Sequence, residues 1–150
     1  MTPDQLHMRR ALELARLQAG RTGKNPSVGC VLVDHDGVRI AEAATGDGGH
    51  IHAEELALSR LPYGRAVGAS AYVTLEPCRE RSTDKPSCSQ RLIEAGVTRV
   101  VIGALDPHPQ GRGGLVNLRE AGVQVETGLM AEAADALYAD FFASVARLGD

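Results

Sequence analysis

The sequence has no tryptophan, three tyrosines and two phenylalanines in 150 residues. Its core must therefore be assembled from Leu, Val, Ile and Ala, and it has few of the aromatic platforms on which single-stranded nucleic acid stacks. Lysine occurs only at Lys24 and Lys85, and the formal net charge is −3. That mild acidity argues against a nucleic-acid partner held by bulk electrostatics, although arginine keeps local phosphate-binding patches open. No apolar run approaches the ~20 residues of a membrane span. The N-terminal stretch MTPDQLHMRRALELARLQAG has the spacing of an amphipathic helix and no signal-peptide apolar region. The expectation is a cytoplasmic protein without membrane contact, in which three cysteines point to metal binding or chemistry before disulfides.

Hydrophobic content of 43% and charged content of 23% are ordinary for a globular chain. With no linker, repeat or low-complexity stretch, residues 1–150 read as one domain. Asp4 to Ala19 carries apolar residues at helical spacing, with Gly20 as a stop. Val28 to Val33 and Val38 to Ala43 flank the turn signal Asp34-His35-Asp36-Gly37 and predict a β-hairpin. Beyond the loop Gly46 to Gly49, helices are predicted over Ala53–Leu61, Ser87–Ala95, Leu115–Ala121 and Met130–Arg147. Strands are predicted over Ser70–Leu75, Val97–Gly103 and Val123–Glu126. Strands and helices alternating after an opening hairpin imply an α/β layered fold with a mixed sheet.

The chemistry-bearing residues are His52-Ala53-Glu54, then Pro77-Cys78, then Cys88. One imidazole and two thiolates suit Zn²⁺, and three protein ligands leave the fourth tetrahedral position open, as catalytic zinc requires. Glu54, two residues past His52 in the first turn of a helix, is placed to accept a proton from an activated water. It could then return protons to a ring nitrogen and a departing amine. Cys88 opens a helix, where the backbone favours thiolate. H-x-E followed by P-C and a further Cys is the signature of zinc deaminases. Here nine residues, Arg79 to Ser87, separate the two cysteines, where the short form of the signature has two.

That interval, together with Asn25-Pro26-Ser27-Val28-Gly29-Cys30, Tyr72-Val73-Thr74-Leu75-Glu76-Pro77-Cys78, Leu92-Ile93-Glu94-Ala95-Gly96-Val97 and Asp106-Pro107-His108-Pro109, resembles the deaminase half of the bifunctional riboflavin-biosynthesis deaminase–reductases. The resemblance spans roughly Leu6 to Met130. It implies a three-layer α/β/α cytidine-deaminase-like fold with a mixed central sheet, a Zn²⁺ cofactor and a homodimer or higher homo-oligomer. It also implies hydrolytic deamination of a small aminopyrimidine, a phosphoribosylated diaminopyrimidinone, with Asn25 touching the substrate. The chain departs from that family at two places. Thr45 stands seven residues before His52, where the family has a His, and Arg79 to Lys85 replaces a His-rich, Gly-containing segment.

Outside the four central residues the readings stay open. Asn25 contacts substrate or shapes the turn before Pro26. Thr45 and the loop carrying Arg79, Arg81 and Lys85 are candidates for substrate or phosphate contact, the arginines being otherwise a solvated face. His50 lies at a pocket lip or in solvent. Cys30 is read as packing, Asp106-Pro107 as a loop at a strand end near where open sheets bind ligands, and His108 as surface. Two other functions fit the pattern, a deaminase of another base, nucleoside or nucleotide, and a non-catalytic zinc-stabilised interaction module.

Overall fold

The computed structural model describes residues 1–81, 84–108 and 112–148. Its elements in chain order are α1 (Pro3–Gln18), β1 (Gly29–Val33), β2 (Arg39–Ala44), α2 (Ala53–Ser59), β3 (Ser70–Leu75), α3 (Cys88–Glu94), β4 (Arg99–Ala104), α4 (Gly114–Glu120), β5 (Gln124–Thr127), α5 (Ala131–Leu137) and α6 (Ala139–Leu148). The strands form one sheet in the order β2-β1-β3-β4-β5. β1 runs antiparallel to β2 and β3, whereas β3, β4 and β5 are mutually parallel. The mixed sheet expected from the sequence is therefore present.

Alternation along the strands divides the core into two layers. Cys30 and Leu32 of β1, Val73 of β3 and Ile102 of β4 pack against Ala53 and Ala57 of α2, Leu92 of α3 and Leu118 of α4. Val31 and Val33, Tyr72 and Val101 face the other way, against Met8, Ala11 and Leu12 of α1 and Ala134 of α5. The result is a helix–sheet–helix sandwich with aliphatic layers, as the scarcity of aromatics requires. α1 begins at a capping box in which Thr2 accepts from the Gln5 backbone and the Gln5 side chain accepts from Thr2. It can lie close to β1 because Gly29 has no side chain; a Cβ there would sit 1.8 Å from the Ala11 carbonyl oxygen.

One expectation is corrected. The stretch read as one helix over Met130–Arg147 is two, α5 and α6, interrupted at Tyr138. The Tyr138 ring is buried, and its hydroxyl donates to the Ser27 carbonyl at 2.7 Å and lies 2.6 Å from the Thr74 hydroxyl. The helical periodicity of the segment continues through the break. The break falls at the residue tied into the sheet by long-range hydrogen bonds.

Candidate active site

The site lies at the carboxyl ends of the parallel strands, where open α/β sheets bind ligands. His52 is the N-cap of α2 in an extended conformation, which turns its ring out of the helix while placing Glu54 in the first turn. Cys78 leaves β3 after Glu76-Pro77. Cys88 opens α3, whose N-cap Ser87 accepts from the Gln90 backbone. The structure brings these segments together. His52 Nδ1 lies 3.2 Å from Cys88 Sγ and 3.8 Å from Cys78 Sγ, and the three donor atoms all fall within 4.8 Å of one another. Tetrahedral zinc with bonds of ~2.3 Å to sulfur and ~2.0 Å to nitrogen needs donor separations of about 3.5–3.8 Å. The donors present therefore fit a zinc ion with only small side-chain adjustment.

The protons are distributed unequally over this cluster. The Cys88 backbone N–H donates to Cys78 Sγ at 3.1 Å. Hydrogen bonding from the Cys88 thiol, with help from His52, holds the Cys78 thiol well below its ordinary value. The same thiol–thiol contact, together with burial, pushes Cys88 up. His52 is raised, chiefly by its hydrogen bond to Cys78. Glu54 is 3% exposed, and burial pushes its carboxyl up to about 7. A thiolate, a thiol, an imidazole and a buried carboxyl thus converge on one spot.

His52, Glu54 and Cys78 open into a cavity of about 210 Å³ also lined by Asn25, Thr45 and Arg81, with Cys88 buried behind them. Asn25 donates from Nδ2 to the Gly49 carbonyl at 2.8 Å, which fixes the turn before β1. Thr45 is buried, and its hydroxyl accepts from the Val28 backbone at 2.9 Å. Arg81 is more constrained than a solvated loop residue. Its side chain is 6% exposed, and it donates to Glu55 Oε1 at 2.8 Å and to the His50 carbonyl at 2.7 Å. His50 and Lys85 line the same cavity. Arg79 does not; it lines a second, more open depression with Leu105 and Arg112. Cys30 is fully buried among apolar residues, as expected of a packing thiol. Ser82 and Thr83 of the intervening loop, and Pro109, lie outside the described residues.

Two acids gain importance that the sequence reading did not give them. Glu76 is 6% exposed, and its carboxylate accepts the backbone N–H groups of Asp106 (3.1 Å), Gly113 (3.0 Å) and Leu115 (3.0 Å). It thereby gathers the chain after β4 and the start of α4 around the segment that carries Cys78. The approach is close: a Cβ on Gly114 would lie 1.7 Å from the Pro77 carbonyl oxygen. Asp106, raised by burial, accepts from the His108 backbone at 2.8 Å and lines the cavity beside His108. The available signal for Glu76 was an acid closing an apolar strand just before Pro-Cys.

A family model for the cytidine and deoxycytidylate deaminase zinc-binding region matches residues 1–104. The chain is 39% identical over 140 residues to the diaminohydroxyphosphoribosylamino-pyrimidine deaminase of Buchnera aphidicola subsp. Acyrthosiphon pisum, with 93% of each protein covered. It is 45% identical over 139 residues to the riboflavin biosynthesis protein RibD of Escherichia coli, covering 92% of this chain and 37% of that one. A solved structure of Acinetobacter baumannii RibD superposes with a TM-score of 0.86 at 39% identity, over 95% of this chain and 40% of that one. The chain thus spans little more than a third of the length of these RibD relatives.

Proposed function

This chain belongs to the cytidine and deoxycytidylate deaminase zinc-binding family, and we propose that it is a hydrolytic deaminase whose substrate is diaminohydroxyphosphoribosylamino-pyrimidine, acting as a single domain over residues 1–150. The observation that carries this reading is the buried carboxyl of Glu54 beside three converging donors, two of which, His52 and Cys78, line a cavity of about 210 Å³ together with Glu54. The name of the Buchnera relative, which the chain matches along 93% of its length, supports the substrate.

His52, Cys78 and Cys88 would hold the zinc ion, which when bound supplies a water nucleophile at neutral pH by lowering its pKa toward ~7. Glu54 would take the two protons of the attacking water in turn, passing the first to the ring nitrogen and the second to the leaving amino group, so that ammonia departs. A buried carboxyl suits this exchange because neither its charged nor its neutral form is strongly preferred. Asn25 and Thr45 bound the ring, and Asn25 presents its amide from a turn already fixed by Gly49. Arg81, which donates to Glu55 and to the His50 carbonyl, shapes the cavity wall.

A second reading, deamination of another base, nucleoside or nucleotide, is favoured by Thr45 and by the Arg79–Lys85 segment, and Thr45→His would then raise activity on the phosphoribosylated substrate. The test is ammonia release by the zinc-loaded protein from the phosphoribosylated diaminopyrimidine, compared with free bases, nucleosides and nucleotides. Release from the first alone is expected, and no release from any of them would overturn the assignment.

A further inference from the structure

The sequence places one charged residue three positions beyond each candidate ligand: Glu55 after His52, Arg81 after Cys78 and Arg91 after Cys88. In the fold these three side chains meet. Glu55 Oε1 accepts from Arg81 at 2.8 Å, and Glu55 Oε2 lies 3.5 Å from Arg91. The Glu55 side chain is 18% exposed and that of Arg81 is 6% exposed. Arg81 also reaches back to the carbonyl of His50, two residues before His52. Each segment that carries a ligand therefore contributes one member to a single ion-paired cluster beside the site.

Such a cluster has a physical task. Two sulfurs and a ring nitrogen lie within 4.8 Å, and their spacing depends on how the three backbone segments that carry them are held relative to one another. Apolar packing orders α2 and α3 through Ala53, Ala57 and Leu92. The long segment between Cys78 and Cys88 has no regular secondary structure between Arg79 and Ser87 among its described residues. Arg81 pins that segment among its described residues. Its two bonds run to α2 and to the loop before it, so the Cys78 side of the site is referenced to the His52 side.

We propose that Glu55 is a positioning residue which, through Arg81 and Arg91, holds the three ligand-bearing segments at metal-binding spacing. The proposal rests on the zinc-site reading above. A carboxylate between two guanidinium groups can do this because its bond from Arg81 is charge-assisted and largely shielded from water, while Arg91, 25% exposed, adds a longer ion pair at 3.5 Å. Groups that orient metal ligands commonly govern metal affinity as strongly as activity.

The test compares Glu55→Gln with wild type in zinc competition against a chelator and in thermal melts of the zinc-free and zinc-loaded proteins. Glu55→Gln should weaken zinc binding by about tenfold or more. Arg81→Gln should do the same, and the double variant should lose less than the two single losses combined. An unchanged zinc affinity, with melting lowered equally in both forms, would show a merely structural ion pair and overturn the proposal. If Glu55→Gln does not fold, Arg81→Lys keeps the charge but loses the bridge to the His50 carbonyl; weaker zinc binding supports the brace and unchanged affinity overturns it. Wild-type protein that holds zinc but deaminates none of the candidate substrates overturns the reaction and leaves the brace standing. Equal zinc affinity in wild type and variants does the reverse.

Discussion

Two polar clusters lie on the parallel half of the sheet, one toward the amino ends of β3 and β4 and one at their carboxyl ends. In the first, Arg99 bonds Asp4 at 2.6 Å and Glu126 at 2.5 Å, and the Tyr72 hydroxyl donates to Asp4 at 2.5 Å. Each partner lowers the cost of the next: hydrogen bonding to Arg99, aided by Tyr72, holds Asp4 down to about 2, while burial and Asp4 push Tyr72 up to about 12. In the second, His52, Cys78, Cys88 and Glu54 converge with no Lys or Arg side chain bonded to the thiols or to the Glu54 carboxyl among the described residues. The first cluster settles its charges internally and ties α1 to the sheet. The second is left needing a cation and a substrate, and its supporting charges, Glu55, Arg81 and Arg91, stand one layer back.

Substitutions should separate the two clusters, and the largest effect is expected at the carboxyl ends. Glu54→Gln should cut turnover by roughly 10²–10⁴-fold, the usual worth of a general acid–base group, while zinc content and melting temperature are kept or slightly raised. A large loss of stability instead would mean that Glu54 is structural. At the amino ends the pattern should invert. Arg99→Ala leaves Asp4, Glu126 and the Tyr72 hydroxyl without their shared partner and should cost about 1–3 kcal/mol in denaturant unfolding, with kcat unchanged. A smaller effect is expected for Asp4→Asn, at most about 1 kcal/mol, because the Asp4 side chain is 38% exposed. Its sign with pH is definite. The folded-state pKa of about 2 lies below the unfolded value of ~3.9, so the Asp4 contribution is present above pH ~4 and lost as pH falls toward 2. Wild type and variant should therefore differ at neutral pH and converge in acid; parallel curves down to pH 2 would assign the difference to something other than ionisation.

Much of this was legible along the chain. Ser70–Leu75 was read with the bounds it has in the fold, because an apolar β-branched run between turn residues is a local signal. The hairpin of β1 and β2 was readable from Asp34 to Gly37, and the four central site residues from their order and neighbours. The break at Tyr138 was not readable, since helical spacing continues through it and its cause lies at Ser27 and Thr74. Arg81 reads by default as a solvated loop residue, with phosphate contact as the alternative; its bonds to Glu55 and to the His50 carbonyl come only with the fold. Glu76 gave little hint that it would gather three backbone N–H groups from beyond β4.

Which residues could bind zinc and move protons followed from side-chain chemistry and short spacing, and those are properties of the chain before it folds. Which of the surrounding polar residues face the cavity, which brace it and which stand apart, as Arg79 does, depended on partners distant in sequence. Only the packed sheet and its two helix layers bring those partners together.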